Sequence, residues 1–250
     1  MGTQADSDSI LVDDLVDANH ILYGEGVLDG FGHVSVRSDS DPASFFIARS
    51  MAPALVGVGD ILRVDLDGQV IGQSGMQTYV ERFIHTEIYR SRPDVKAIVH
   101  SHSPTLIPFG ATGTRLRPVC HTCGFLGGGG CPVFEMRDVA GDGSDLLVSN
   151  PILGQGLVSS LGSSAIVLMR GHGSTVVGES LRQAVHRAVY AETNARLQLQ
   201  GMALGEVRYL TDDEARASDA TTSSHLDRAW VLWRRKARRL VKELELQDGR

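Results

Sequence analysis

Cysteine is scarce in this chain: three residues among 250, an odd number and too few for a disulfide framework. Proline is sparse as well, at eight positions, and glycine follows no period of three, which excludes a collagen-like fibre. Long apolar runs are missing. Residues 165–169 form one of the longest, far short of the roughly 18 needed to span a bilayer, so no membrane segment is expected. Residues 1–9 are polar and acidic, without the basic start and apolar stretch of a signal peptide, and the expected location is the cytoplasm. Positive charge is in deficit: 24 Lys and Arg against 30 Asp and Glu leave −6, which argues against a general nucleic-acid binder. Neither an internal repeat nor a low-complexity linker divides the chain, so a single domain over 9–250 is expected behind a disordered start at 1–8.

What is present suits a globular protein with a real core, at 42% hydrophobic and 22% charged residues. Leu11, Leu15, Ala18 and Leu22 fall at helical spacing, predicting a helix over 10–23 with Ser7 or Ser9 as its N-cap and Gly24 as its stop. Strands are predicted within 30–37, at 44–48 and 61–64, at 95–100 and at 165–169, with a hairpin turn at Asp67–Gly68. Helices are predicted over 78–91, over 150–161 and over 180–200, the last opened by a Ser180…Gln183 capping box. Residues 146–148 read as either strand or helix. Two closing helices, 211–217 and 226–246, end the chain. Strands in the middle with helices before, between and after suggest an α/β sandwich.

Histidine is unevenly placed. His100 and His102 form an H-x-H at the end of a predicted strand, where a period of two puts both imidazoles on one face within reach of one metal. His172 stands in RGHG (170–173), and its flanking glycines permit close approach. Each element has a plainer reading when taken singly. Glu81, three residues after Thr78, is then the acidic half of a capping box, and His85 a partly buried helix histidine.

In combination, ERFIH (81–85), YRSRPD (89–94), AIVHSH (97–102) and RGHG (170–173) resemble the class II aldolase/adducin family, from the first helix to about Gln200. The resemblance implies a three-layer α/β/α sandwich around a mostly antiparallel or mixed sheet. It also implies one divalent metal ion per subunit (Zn, Mn, Fe or Co), held by His100, His102 and His172. Glu81 is implied as a fourth ligand that becomes an acid/base group when substrate displaces it. Assembly into a homotetramer or higher homo-oligomer is implied too. Adducin-like members that have lost the ligands serve as interaction modules; here all four positions are kept.

The sugar-phosphate branches grip phosphate with Gly-Asn-x-Ser and a hydroxyl pair before the acidic residue. This chain has GHVS (32–35) and Tyr79-Val80 in those places, and valine donates no hydrogen bond. FGHVS (31–35) with HSHSP (100–104) resembles instead the decarboxylase branch, which includes the 3,4-dihydroxyphthalate decarboxylases and 3-hydroxy-2-methylpyridine-4,5-dicarboxylate decarboxylase. The implied substrate is a small aromatic acid, benzene or pyridine, with a hydroxyl ortho to the departing carboxylate. The metal would take up developing charge through that hydroxyl. An aldolase or dehydratase acting on a sugar or hydroxy acid is the alternative.

Glu81 is the first candidate to protonate the ring carbon, and His33 the second; His33 could otherwise bind a carboxylate that stays. Ser35, Arg37 and His121 are further candidate substrate contacts, Arg37 reading alternatively as a solvated strand residue. Arg90 and Arg92 read as charges at a helix C-terminus. Cys120-x-x-Cys123 lacks a well-spaced fourth ligand and opens a glycine-rich loop, so plain thiols are expected there. Gly127–Gly130 has no following Lys-Ser/Thr and is expected to be a mobile loop, not a P-loop. The basic 230–246 segment carries Trp230, Trp233, Ala237 and Leu240 at helical spacing, so it is expected to dock as a helix with one solvated basic side.

Overall fold

Side chains alternate along the central strands, and both faces of the sheet they form are buried. The computed structural model describes residues 4–73 and 75–248; for 4–7, 245, 247 and 248 it describes the backbone only. The first half runs α1 (Gln4–Gly24), β1 (His33–Arg37), β2 (Ser44–Ala48), β3 (Ile61–Asp65), α2 (Arg82–Ser91), β4 (Ala97–Ser101) and α3 (Ile107–Ala111). The second half runs β5 (Val133–Phe134), α4 (Arg137–Ala140), α5 (Pro151–Leu161), β6 (Ile166–Met169), β7 (Gly173–Gly178), α6 (Leu181–Leu204), α7 (Asp212–Ser223) and α8 (Leu226–Asp248).

Among the described residues seven strands lie in the order β3-β2-β1-β4-β7-β6-β5, all antiparallel except the β5–β6 pair. Val34, Val36, Ala97, Val99 and Val176 face one core with Leu15 and Leu22 of α1, Ala184 and Ala188 of α6 and Trp230 of α8. Phe45, Ile47, Ile98, Val167 and Val177 face the other, with Ile84 and Ile88 of α2 and Leu157 and Leu161 of α5. This is the expected three-layer α/β/α sandwich with a mixed sheet. Among the described residues no helix is long and apolar enough to cross a membrane.

Several elements differ from the sequence-based expectation. Helix α1 begins at Gln4, so residues 4–8, expected to be disordered, are helical, and neither Ser7 nor Ser9 is a cap. Residues 1–3 of that expected start lie outside the described residues. The Asp8 carboxylate explains the extension: it accepts from the Ser38 hydroxyl and the Asp39 N–H, tying the first turns to the β1–β2 connection. Helix α2 begins at Arg82 rather than near Thr78, because Thr78 bridges to Arg49 and donates its hydroxyl to the Ala48 carbonyl. Neither the short edge strand β5 nor β7, which lies between β4 and β6 inside the sheet, was expected. The glycine run is pinned rather than loose: the Arg117 and Arg115 guanidiniums donate to the Gly128 and Gly129 carbonyls.

Other expectations hold. Val64 pairs with Val70 across the turn at Gly68, and the Ser180 hydroxyl caps α6 by accepting from the Gln183 N–H. Helix α8 docks through Trp230, Trp233 and Ala237, while Arg238 and Lys236 pair with Asp17 and Glu25 of the α1 region. Truncating a fully buried α1 side chain, Leu15→Ala, should cost about 2–5 kcal/mol of unfolding free energy by urea titration. Metal stoichiometry should stay the same, since Leu15 packs on the sheet face away from α2.

Candidate metal centre

Three neighbouring strands bring their chemistry to one end of the sheet. In the antiparallel register His33 at the start of β1 lies opposite His100 near the end of β4, and His100 lies opposite Thr175 near the start of β7. His102 follows β4 by one residue, and His172 sits in the tight turn between β6 and β7. Glycine is required twice here. At Gly32 φ is +84°, and a Cβ would meet the Leu28 side chain and, at 2.9 Å, the His100 carbonyl oxygen. At Gly173 a Cβ would collide with the Ser101 carbonyl oxygen, so only glycine lets β7 lie against β4 beside the histidines.

The Nε2 atoms of His100 and His102 are 3.0 Å apart, and those of His102 and His172 2.9 Å. Glu81 stands at the mouth of α2 with no capping role; its Oε2 lies 3.4 Å from His100 Nε2, 3.5 Å from His172 Nε2 and 3.9 Å from His102 Nε2. Its other oxygen, Oε1, accepts from the Val148 N–H at 3.0 Å. That donor comes from the 146–148 segment, which is neither strand nor helix and enters through Leu146 at a φ of +66°. All four ligand atoms lie within 4.8 Å of one another.

The donor chemistry fits a divalent cation. His100 Nδ1 lies 3.1 Å from the Ser174 carbonyl, which can only accept, so the ring proton sits on Nδ1 and Nε2 presents a lone pair inward. Lone pairs of three imidazoles and a carboxylate converging on one small volume repel one another unless a positive charge lies between them. A His₃Glu set is a known donor combination for Zn²⁺, Mn²⁺ and similar ions. When protons rather than an ion sit between these groups, burial acts to raise the Glu81 carboxyl, but the charge of His100 and hydrogen bonds from His100 and His172 outweigh it and hold the group well below the usual carboxylate range. Burial and its imidazole neighbours push His102 down to about 4, so it is neutral and ready to ligate near pH 7.

A cavity of about 370 Å³ opens over Glu81 and His102. Phe31, Met51, Tyr79, Val80 and Leu147 supply most of its wall, with His33 at its base. The Tyr79 ring lies 4.5 Å from that of His33, and its hydroxyl donates to the Met51 carbonyl, so Tyr79 serves as a wall.

The other sequence candidates fall elsewhere. Ser35 is wholly buried behind His33, bonded to His85 and Tyr89. Arg37, at the far end of β1, donates to the carbonyls of Val95, Pro42, Tyr89 and Arg92; it is a buried brace, neither a carboxylate clamp nor a solvated residue. His121 lines a separate cavity with His186 and Tyr190. Cys120, Cys123 and Cys131 are free thiols, with the first two sulfurs 3.0 Å apart. Sequence reading makes His85 a partly buried helix histidine and gives Tyr89 no role, whereas both are fully buried and bonded to Ser35. The i, i+4 spacing of Glu81, His85 and Tyr89 on one helical face was the available signal.

The family profile for the class II aldolase and adducin N-terminal domain matches residues 13–199. The chain is 36% identical over 248 residues to the decarboxylase tropJ of Talaromyces stipitatus, covering 90% of this chain and 93% of that protein. It is 32% identical over 229 residues to a 3,4-dihydroxyphthalate decarboxylase of Arthrobacter keyseri, covering 85% and 88%. Among solved structures, an L-fuculose 1-phosphate aldolase from Glaciozyma antarctica matches with a TM-score of 0.75 at 22% identity, covering 99% of this chain and 94% of that one, a likeness of fold.

Two measurements check the site. Zn²⁺ at a hundred times its Kd should add about 2.7 kcal/mol of stability, a rise of roughly 5–10 °C in Tm, and the shift should vanish in His100→Ala. Burial pushes His85 down to about 3 and His186 down to about 4, against 6.5 for a free imidazole. The unfolded chain therefore binds more protons than the folded one below pH 6.5. Metal-free protein should keep its full stability above that pH and show a falling urea midpoint from about 6.5 toward 4; a flat profile would contradict the assignment.

Proposed function

This chain belongs to the class II aldolase and adducin family, and from that premise we propose that it is a metal-dependent carboxy-lyase. Its substrate in this reading is an aromatic carboxylic acid, benzene or pyridine, with a hydroxyl ortho to the carboxylate that leaves. The observation that carries the reading is the cavity over Glu81 and His102: apolar and aromatic walls, with His33, Tyr79 and Val80 at positions where a phosphate grip would need small polar residues. The similarity to proteins named as decarboxylases supports the same choice of reaction. An adducin-like role without chemistry is disfavoured by the assembled Glu81, His100, His102 and His172 set.

A divalent ion (Zn, Mn, Fe or Co) held by those four residues would supply Lewis-acid stabilisation of the charge left on the ring when the C–CO₂ bond breaks. Glu81 handles the proton. While it faces the three histidines it stays ionised; once substrate displaces Oε2, burial raises its pKa against the single Val148 N–H bond left on Oε1. Its Oε2 then takes the proton of the ring hydroxyl, CO₂ leaves with the bond electrons remaining on the ring, and the same proton passes to the ring carbon. His33 holds a substrate oxygen from the base of the cavity. Ser35 and Arg37 act behind it and do not touch substrate.

A homotetramer or higher homo-oligomer in the cytoplasm completes the reading. The test is CO₂ release by metal-reconstituted protein from ortho-hydroxy aromatic acids, including 3,4-dihydroxyphthalate and hydroxypyridine dicarboxylates. Release is expected from at least one acid and should be abolished in His102→Ala. His33→Ala should raise KM roughly 10-fold through the lost hydrogen bond to a charged oxygen. Full metal loading with no CO₂ from any acid, and cleavage of an unphosphorylated hydroxy acid instead, would move the assignment to the aldolase class.

A further inference from the structure

Behind the cavity a line of buried polar groups runs away from the metal site. His33 Nδ1 lies 2.7 Å from His85 Nε2, His85 Nδ1 lies 2.6 Å from Ser35 Oγ, and Ser35 Oγ lies 2.8 Å from the Tyr89 hydroxyl. All four side chains are at most 3% exposed. No carboxylate hydrogen-bonds either ring among the described residues, so nothing in contact favours a charged imidazole over a neutral one. Each link therefore has one donor and one acceptor, and the direction of the whole line follows from its end.

That end is Tyr89. Among the described residues its hydroxyl has two hydrogen-bond neighbours: Ser35 Oγ at 2.8 Å and the Lys96 carbonyl at 3.5 Å, well beyond the ~2.7–2.8 Å usual for O–H···O. The phenol thus donates to Ser35. Ser35 has a single proton and one remaining partner, so it donates to His85 Nδ1. A neutral His85 with a bare Nδ1 carries its proton on Nε2 and donates to His33 Nδ1. A neutral His33 with an accepting Nδ1 carries its proton on Nε2, the nitrogen left for the cavity that His33 lines.

We infer that Ser35, acting through His85, holds His33 in a single tautomer that presents Nε2–H to the metal cavity. His33 is thereby an obligate hydrogen-bond donor, matched to an anionic oxygen of the substrate, such as a carboxylate that stays on the ring. It does not serve as a base. Ser35 and His85 are positioning residues, and only the identity of the acceptor rests on the proposed function.

The tautomer is read by long-range ¹H–¹⁵N correlation on zinc-loaded protein labelled with ¹⁵N-histidine, with no substrate present. Protonated Nε2 and unprotonated Nδ1 are expected at both His33 and His85. Ser35→Ala removes the donor that sets the direction, so both tautomers of His33 should appear and KM for the aromatic acid should rise roughly 3- to 10-fold, with kcat less affected. Tyr89→Phe removes the hydroxyl that fixes Ser35 as a donor, so the second tautomer should appear at His33 in that variant too. A merely structural role for either side chain would leave the single tautomer of His33 unchanged. Protonated Nδ1 on wild-type His33, or an unchanged single tautomer in Ser35→Ala, overturns the inference. Because the spectra need no substrate, a failure to release CO₂ from any acid would sink the proposed reaction and leave the tautomer assignment standing.

Discussion

One buried carboxylate facing three imidazoles is an arrangement that the surrounding fold must hold against its own repulsion. Glu81 can stay ionised in so dry a place when a cation, or protons on the histidines, lies in front of it and the Val148 N–H holds its other oxygen. Glu81 and those partners come from four parts of the chain: the start of α2, the end of β4, the β6–β7 turn and the irregular 146–148 segment. Hence the middle of the sheet has to be in register before the site exists. The collision that any Cβ at Gly173 would make with Ser101 shows how tightly β4 and β7 are drawn together for it.

The two faces of the sheet divide the work. Helices α1, α6 and α8 cover one with Leu15, Leu22, Ala184 and Trp230, an apolar layer that supplies stability. The α2 face is where polar groups collect: His33, Ser35 and His100 point there, with His85 and Tyr89 of α2 packed over them. Alternation along β1 is enough to produce this division, since Val34 and Val36 turn toward one layer while His33, Ser35 and Arg37 turn toward the other. Arg37 ends the polar face with its guanidinium 4.6 Å from the centroid of the Tyr89 ring and its donors on backbone carbonyls, which braces the helix over the strand.

Within a shared family frame, specificity is written in the wall of the cavity. The same metal set can serve aldol cleavage or decarboxylation, because both leave negative charge beside an oxygen. What differs is what grips the remainder of the substrate. Tyr79, Val80, Met51 and Phe31 give the cavity mainly apolar and aromatic walls, and in the proposed reading His33 supplies its polar contact.

Much of this was legible in the chain itself. H-x-H on a strand end, a histidine between glycines and a glutamate at a helix start point to a metal site because ligand spacing is local, and local sequence patterns locate most of the long helices and every strand but β5 and β7. The roles of Ser35, Arg37, His85 and Tyr89 were not legible. A serine, an arginine and a helix histidine carry no local mark of whether they touch a ligand or stand behind the residue that does. Nor did any signal in 146–148 announce the N–H that holds Glu81, or any period in 173–178 a central strand. Those assignments depend on which strands lie side by side and which loop crosses the end of the sheet. They are long-range pairings, settled by packing two apolar layers against one sheet; the local sequence decided the donor types, and only the tertiary structure decided their partners.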